Sequence, residues 1–278
     1  MSILSVRGLT KTYPAFKLDG VSFSLEAGKI TGFIGRNGAG KSTTLASLFN
    51  FVHPDSGEIE FFGMPLGGNE AEVKLRTGFV SGGVDFYLKK RLNTISAVAK
   101  TFYPNWDDAA CRRYMDMFSL DGRKTPSELS AGMKVKYSLV LALSHNAELL
   151  ILDEPTSGLD PVSRDDLLDV LLALCDEGKT ILFSTHITSD LDKCAHNIIY
   201  IRDGKIIADA PMRGFEDSYR VASYSDGEGG ADEGYFLGKR RNRDGFTALV
   251  RTADAPRIGR ECKKTDLESI MVHLERGV

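Results

Sequence analysis

The sequence is short of several residue types on which many folds depend. It contains no glutamine, one tryptophan and four cysteines among 278 residues. The cysteines lie 64, 19 and 68 positions apart, which matches no metal-ligand or redox spacing, so we expect reduced thiols at all four positions. They are Cys111, Cys175, Cys194 and Cys262.

Long apolar runs and an excess of one charge are also lacking. No stretch of about 18 consecutive apolar residues occurs, and residues 1–12 show no signal-peptide pattern. We therefore expect a chain that neither crosses a membrane nor is secreted. Lys and Arg total 35 against 38 Asp and Glu, a net charge of −3, so no nucleic-acid partner is expected.

What is present is an alternation of strand-like and helical segments. Helical patterns occur over 41–50 and 161–175, and apolar runs of strand length flank them. The main runs are 2–6, 21–25, 30–34, 149–152, 180–183 and 197–201. This order predicts an α/β fold whose later strands are buried, parallel and joined by crossover helices.

A helical insert interrupts this pattern. The periodicity between about residues 93 and 146 is largely helical, with breaks at Pro104 and over 122–126. We therefore predict an all-helical lobe inserted between two halves of one sheet.

The composition changes again near Ser223. Residues 225–234 contain no core-forming side chain and four acidic ones, which is typical of a mobile linker. Beyond it, a strand-like run and a helical run follow, and Thr265 and Glu268 have the spacing of a capping box. We predict a domain over 1–222 and a small C-terminal α/β appendage over 223–278.

A glycine-rich segment between a predicted buried strand and a predicted helix fits the phosphate-binding pattern G-x-x-x-x-G-K-[ST]. Its backbone N–H groups can face phosphates, and the helix N-terminus adds positive potential. In this pattern Lys41 contacts the β- and γ-phosphates and Ser42 ligates Mg²⁺. The alternative is a turn that only caps a helix, which the strand–loop–helix placement disfavours. The predicted nucleotide-binding residues here are Gly35, Asn37, Gly38, Ala39, Gly40, Lys41, Ser42 and Thr43.

Two adjacent carboxylates follow the apolar run 149–152. Ligands bind at the carboxyl ends of strands in open α/β sheets. We therefore expect Asp153 in the Mg²⁺ shell and Glu154 as the general base that polarises the attacking water. By itself the pair could end any strand at a surface turn, and the phosphate-binding pattern upstream favours the functional interpretation.

With these two motifs, the chain resembles the ATP-binding subunits of ABC transporters, and further motifs follow in that family's order. The resemblance implies a P-loop NTPase ABC cassette that binds ATP and Mg²⁺ and hydrolyses ATP. Residues 129–133 are similar to the family's signature sequence, with departures at Ala131 and Met133. In the family, the residues matching Ser130 and Gly132 bind the γ-phosphate that is held by the opposite subunit. The structural alternative for this segment is an ordinary helix cap.

Three further positions match the family's pattern. Asp160 ends a segment similar to the loop that couples the two sites of the dimer. His186 matches the histidine that contacts the γ-phosphate and orders the lytic water, although a lone histidine at a strand end is more often structural. Tyr13 aligns with the aromatic residue that stacks on adenine, and Phe16 remains an alternative.

The lack of glutamine has a specific meaning in this family. Its members carry a glutamine in the loop that follows the strand corresponding to residues 77–80 of this chain. That glutamine ligates Mg²⁺, helps to position the lytic water and contacts the membrane partner. By alignment Gly82 takes this position. Water, Ser81 or Asp85 would have to substitute, so the resemblance implies slow hydrolysis by the isolated subunit.

At the level of function, the resemblance implies two ATPase subunits, identical or different, that close on two ATP molecules at the cytoplasmic face of the cell membrane and drive a separate permease subunit. The alternative is a soluble ABC ATPase that acts on a macromolecular complex. Such proteins usually need long coiled coils or two cassettes, whereas Lys41 and Asp153 lie 112 residues apart in one cassette. Residues 102–107 and 132–136 look like a bacterial exporter subgroup that includes phenol-soluble-modulin exporters, which implies a peptide or antimicrobial as cargo.

Overall fold

The computed structural model describes residues 2–83, 85–225 and 232–276. The chain divides into two compact units, the first over 1–186 and 199–209, the second over 187–198 and 210–278. The strands that lie mainly in the first unit are β1 (Ser2–Tyr13), β2 (Phe16–Glu26), β3 (Ile30–Ile34), β4 (Ser56–Phe61), β5 (Met64–Pro65), β6 (Thr77–Ser81), β7 (Leu149–Asp153), β8 (Thr180–Thr185), β9 (Asn197–Arg202) and β10 (Lys205–Pro211). Its helices are α1 (Lys41–Leu48), α2 (Glu70–Arg76), α3 (Leu92–Lys100), α4 (Asp108–Met117), a 3₁₀ turn (Pro126–Glu128), α5 (Ala131–Ser144) and α6 (Pro161–Asp176).

An antiparallel sheet of order β2-β1-β4-β5 begins the first unit. The pairing of β1 with β2 extends from Ser2–Glu26 to Tyr13–Phe16, well beyond the strands predicted at 2–6 and 21–25. Its register shifts on either side of Leu9, next to Gly8, whose φ of +60° is left-handed. Such bulges interrupt the apolar alternation on which the prediction relied, which explains the shorter predicted strands.

A six-stranded sheet of order β10-β9-β3-β8-β7-β6 forms the centre of the first unit. The strands β3, β8, β7 and β6 pair in parallel, and every residue of β3 and β8 is buried. This confirms the predicted α/β core, because strands buried on both faces read as continuous apolar runs. Parallel pairing also brings the carboxyl ends of these four strands to one edge of the sheet.

Three helices between β6 and β7 match the predicted helical segment. The interruptions of the helical periodicity near Pro104 and over 122–126 fall in the connections between α3, α4 and α5, as the pattern indicated. The side chain of Tyr137 in α5 is fully buried and donates a 2.7 Å hydrogen bond to the carbonyl oxygen of Leu92 at the start of α3. This bond ties the helix that begins after Ser130 to the rest of the helical segment.

The second unit contains α7 (Thr188–Cys194), α8 (Met212–Asp217), β11 (Tyr219–Tyr224), a 3₁₀ turn (Glu233–Tyr235), β12 (Gly238–Asn242), β13 (Gly245–Arg251), a second 3₁₀ turn (Ala255–Arg257), β14 (Cys262–Lys263) and α9 (Leu267–Arg276). Its antiparallel sheet has the order β12-β13-β11-β14 and a small core that includes Tyr224, Val250 and Ile258. The boundary expected between residues 222 and 223 falls inside β11. The division into 1–222 and 223–278 stays a prediction, and most of the expected acidic linker lies outside the described residues.

The start of α9 differs from the predicted capping box. The Oδ1 atom of Asp266 accepts a 2.8 Å hydrogen bond from the backbone N–H of Ser269, and the helix begins at Leu267. The capping box assigned to Thr265 is therefore wrong by one residue. A carboxylate suits this position because it satisfies an orphan N–H group and also interacts favourably with the helix dipole.

Candidate nucleotide site

A cleft with a volume of about 520 Å³ lies at the carboxyl ends of β3, β7 and β8. Most of its lining comes from the predicted phosphate-binding loop and the first turn of α1, between Arg36 and Thr43. Phe16, Glu154, Ser157 and His186 complete it. Residues from four separate parts of the sequence therefore meet in one depression of the first unit.

The loop from Gly35 to Gly40 folds as it does because side chains are excluded at both ends. A Cβ atom at Gly35 would lie 2.3 Å from the carbonyl oxygen of Ile201. Gly40 has a φ of +113°, and a Cβ there would lie 2.9 Å from the ring of Phe16. Glycine alone tolerates both conditions. The chain can therefore turn sharply and begin α1 at Lys41 with its N–H groups directed toward the cleft.

The ammonium group of Lys41 lies inside this loop. Its Nζ atom donates a 2.7 Å hydrogen bond to the carbonyl oxygen of Gly35 and lies 3.6 Å from Oε1 of Glu154. The side chain is only 6% exposed. Burial lowers the pKa of Lys41, and the negative charge of Glu154 opposes that shift. The loop thus surrounds a positive charge suited to an anionic ligand.

Glu154 joins Lys41 to His186. Its backbone has a left-handed φ of +51°, and its N–H donates a 2.9 Å hydrogen bond to the carbonyl oxygen of Ser184. The resulting turn directs the side chain across the cleft, where Oε2 lies 2.7 Å from Nδ1 of His186. A left-handed conformation at a residue other than glycine costs about 1 kcal/mol. The expected base and the expected histidine are therefore in direct contact.

Asp153 ends β7 with an unsatisfied carboxylate. Its Oδ1 atom is buried and has no hydrogen-bond partner, and the same is true of the hydroxyl of Ser184, its register partner on β8. Burial raises the pKa of Asp153 and outweighs the nearby hydroxyl groups of Ser184 and Ser42, which act to lower it. A buried carboxylate oxygen without a partner is costly, so the position is chemically suited to a cation.

The oxygen donors near Asp153 fit Mg²⁺. Ser42 lies in the lining of the cleft at the start of α1, and hydroxyl and carboxylate oxygens are the ligands that this ion prefers. Within the described residues, no group of three or more His, Cys, Asp or Glu side chains could hold a metal ion. Mg²⁺ is commonly held by one or two protein oxygens together with the phosphates of a nucleotide, and Asp153 and Ser42 could supply those oxygens.

Ser130, Gly132 and Asp160 do not line this cleft. Ser130 caps α5 by accepting a 3.3 Å hydrogen bond from the N–H of Met133. Asp160 caps α6, and its hydrogen bonds with Ser163 hold its pKa below the ordinary value. A Cβ at Gly132 would lie 3.6 Å from the side chain of Ser163, so the starts of α5 and α6 are neighbours. The structure brings these predicted residues together with one another, and their roles stay predictions.

The aromatic residue nearest to the cleft is Phe16. It lines the cleft and packs over Gly40. Its register partner Tyr13 is 39% exposed at the end of β1 and is not part of the lining. The geometry favours the alternative over the residue assigned by alignment, and stacking by Tyr13 stays a prediction.

Two site residues were missed by sequence reasoning. Ser157 lines the cleft three residues after Glu154, and Ser184 presents its orphan hydroxyl opposite Asp153. Ser184 could have been predicted from its position, because it lies two residues before His186 on a strand next to β7.

The loop that lacks the family's glutamine starts beside the acidic pair. Ser81 ends β6 in register with Asp153. Gly82 has a left-handed φ of +61°, and a Cβ there would have no neighbour within 4 Å. Asp85 lies 3.4 Å from the ammonium of Lys134 in α5 and is not in the lining of the cleft. Of the two expected substitutes, only Ser81 lies at the strand end next to Asp153.

Comparison with known proteins places this geometry in context. A family model described as ABC transporter matches residues 18–157. The bacitracin transport ATP-binding protein BcrA of Bacillus licheniformis is 32% identical over 215 residues, which cover 76% of this chain and 70% of BcrA. The Nod factor export ATP-binding protein I of Burkholderia pseudomallei is 33% identical over 202 residues, which cover 70% of this chain and 66% of that relative.

Solved structures agree with these relatives. The ATP-binding subunit of an ABC transporter superposes with a TM-score of 0.70 at 26% identity, covering 77% of this chain and 92% of that one. The cbiO1 protein of Clostridium perfringens, described as part of the ABC transporter complex cbiONQ, gives a TM-score of 0.67 at 25% identity, covering 77% of this chain and 90% of cbiO1.

Proposed function

This chain belongs to the ABC transporter family as an ATP-binding protein with ATPase activity, and on that premise we propose that it drives a separate membrane-spanning permease. The observation that supports hydrolysis, on which this proposal depends, is the contact of Glu154 with both Lys41 and His186 in one cleft. A carboxylate placed between a buried ammonium group and an imidazole is suited to act on a water molecule next to a bound phosphate.

Each residue of the cleft has its own role in the proposed hydrolysis of ATP. Lys41 and the N–H groups of its loop bind the phosphates and offset their charge. Glu154 accepts a proton from the attacking water at a carboxylate oxygen, and His186 orients that water and the carboxylate. Asp153 and Ser42 would hold Mg²⁺, which, when bound, neutralises charge on the β- and γ-phosphates.

Ser130 and Asp160 act on the second subunit in this proposal. Both lie at helix N-termini outside their own chain's cleft, and helix N-termini bind anions through N–H groups and the helix dipole. We propose that two chains close with ATP between them, so that the start of α5 faces the γ-phosphate held by the other chain. The partner chain is either a second copy or a related subunit.

An apolar groove on the first unit supports the proposal of a membrane partner. It has a volume of about 350 Å³ and lies between β6 and the helices α3 and α5. Its lining includes Phe86, Tyr87 and Phe102, which are at least half exposed. Exposed aromatic clusters of this kind mark protein interfaces. Among the described helices, none has the length and apolarity that spanning a bilayer requires. We therefore propose a peripheral position on the cytoplasmic face of the membrane.

The proposed direction is export, with a peptide or antimicrobial as cargo. The named relatives include a bacitracin transport protein and a Nod factor export protein. The alternative is a soluble ABC ATPase that works on a macromolecular complex, and the exposed aromatic groove would then meet that complex instead.

Hydrolysis is tested with a matched pair of lysine variants. Lys41→Ala should abolish Mg²⁺-dependent phosphate release and nucleotide binding, because it removes the buried cation of the loop. Lys29→Ala is the control, since the side chain of Lys29 forms a 2.7 Å surface ion pair with Glu26 and does not line the cleft. Equal activity of the two variants would contradict the assigned site.

The membrane partner is tested by cross-linking in native membranes followed by mass spectrometry. Phe102→Ser should reduce cross-links to an integral membrane protein, because Phe102 is 71% exposed in the groove. Met117→Ser is the control, since Met117 is 50% exposed and does not line the groove. Cross-links to soluble assemblies alone would favour the alternative function.

A further inference from the structure

Gly83 approaches the first turn of α5 more closely than any residue with a side chain can. A Cβ at Gly83 would lie 2.8 Å from Cβ of Lys134 and 3.1 Å from both the carbonyl carbon of Lys134 and the backbone nitrogen of Val135. Real Cβ atoms essentially never show contacts under 3.0 Å. The atoms it would meet belong to the helix backbone and to the root of a side chain, so they cannot rotate away.

The helix cannot easily move away as a whole either. Val135 is buried in the core, and the N–H of Lys134 donates a 3.0 Å hydrogen bond to the carbonyl oxygen of Ser130. A displacement of this turn would therefore disturb the core or shift Ser130. The loop is also held to α5 by the ion pair between Asp85 and Lys134, with 3.4 Å between the charged atoms.

The other end of this loop is fixed at the nucleotide cleft. Ser81 ends β6 in parallel register with Asp153, and Gly83 follows two residues later. The short segment between them thus links the end of β6, which lies beside Asp153 at the end of β7, to the first turn of α5 after Ser130.

We propose that Gly83 is a positioning residue, which fixes Ser130 and the start of α5 relative to Asp153 so that each chain presents Ser130 correctly to the nucleotide of the other. The inference rests on the proposed role of Ser130 in the dimer. The proposed function of Gly83 depends on its packing against α5. It does not depend on the glutamine side chain that is missing at position 82.

The neighbouring glycine supplies a matched control. Gly82 and Gly83 have φ values of +61° and +86°, so alanine strains the backbone at both positions. A Cβ at Gly82 meets nothing within 4 Å, whereas one at Gly83 collides with α5. The difference between Gly82→Ala and Gly83→Ala therefore isolates the contact with the helix.

The experiment measures the ATP-dependent dimerisation constant by analytical ultracentrifugation, with each variant made in the Glu154→Gln background. Gly83→Ala should dimerise about tenfold more weakly than Gly82→Ala, because small misplacements of a binding group cost that much or more. Binding of a fluorescent ATP analogue to the monomer should be the same in both. Equal dimerisation of the two alanine variants would overturn the inference.

Ser130→Ala separates failure of the inference from failure of the proposed function. If no ATP-dependent dimer forms, or if Ser130→Ala dimerises like its parent, the proposed function fails and the inference fails with it. If Ser130→Ala weakens the dimer while the two glycine variants remain alike, only the role of Gly83 is lost.

A second pair of variants covers the case in which Gly83→Ala does not fold. Asp85→Asn removes the ion pair to Lys134, and Asp166→Asn removes a similar one between Asp166 and Lys136 of α5, 3.7 Å apart, which does not involve the loop. Asp85→Asn should weaken dimerisation by about two- to fivefold, as expected of an exposed pair, and Asp166→Asn should leave it unchanged. Equal effects would count against the inference.

Discussion

Replacing Glu154 with glutamine tests the centre of the proposed chemistry. The amide fills nearly the same space and can still contact His186, which lies 2.7 Å from the carboxylate, but it cannot accept a proton from water. A positioned general base contributes roughly 10²–10⁴ in rate, equivalent to about 2.7–5.4 kcal/mol of transition-state stabilisation. We expect the turnover number to fall by that factor while ATP still binds at neutral pH.

The variant should also change the environment of Lys41. The charge of Glu154 opposes the lowering of the Lys41 pKa by burial, so its removal lowers that pKa further. We therefore expect the affinity of Glu154→Gln for ATP to decline at a less alkaline pH than that of the parent. A titration of nucleotide binding between neutral and alkaline pH measures this difference.

The assay for Glu154→Gln is steady-state phosphate release, with size-exclusion chromatography in ATP and Mg²⁺ to detect a trapped dimer. Glu148→Gln is the matched control, because Glu148 immediately precedes the same strand and pairs with Arg76 at 2.6 Å. Turnover by Glu154→Gln at the parent's rate would refute the reasoning and remove Glu154 from the role of base.

Three further predictions follow from the described residues. Burial raises the folded-state pKa of Asp153, so its ionised form destabilises the fold as pH rises through that value. Asp153→Asn should therefore raise the melting temperature of the nucleotide-free protein at pH 7 and not at pH 3, and a lower melting temperature at pH 7 would contradict this. Gly82→Gln should hydrolyse ATP faster than Gly82→Ala in the isolated chain, since both strain a left-handed residue but only glutamine adds a ligand; equal rates would exclude a role for the missing side chain. Asp160→Ala and Asp107→Ala should each lose about 1 kcal/mol of stability in urea unfolding through a lost helix cap, but only the former should impair ATP-dependent dimerisation.

Much of the fold could be predicted because its signals are local. The apolar run at 30–34, the glycine spacing after it and the start of α1 at Lys41 are each encoded within a few residues. The extent of β1 and β2 was not predictable from alternation, since Gly8 interrupts the pattern where the register shifts. The assignment of residues 187–198 to the second unit depends on tertiary packing, which leaves no local pattern.

The candidate site likewise combines residues that the sequence could predict with contacts that it could not. The strand-end rule was sufficient to expect Asp153 and Glu154 near the phosphate-binding loop, because parallel strands bring their carboxyl ends together, whereas His186 was expected from the resemblance to the family. The orphan hydroxyl of Ser184 and the contact of Gly83 with α5 depend on the distance between segments far apart in sequence. No spacing within one motif contains that information.

The left-handed backbone of Glu154 has a consequence for selection. Glycine adopts this conformation without steric cost, and asparagine adopts it more readily than glutamate does. Replacing Glu154 by glycine would relieve about 1 kcal/mol of backbone strain, but it would also leave the buried ammonium group of Lys41 without this charge partner. Selection for heat resistance therefore acts on residue 154 in two opposite directions, and the contact with Lys41 favours keeping the carboxylate even where turnover is not required.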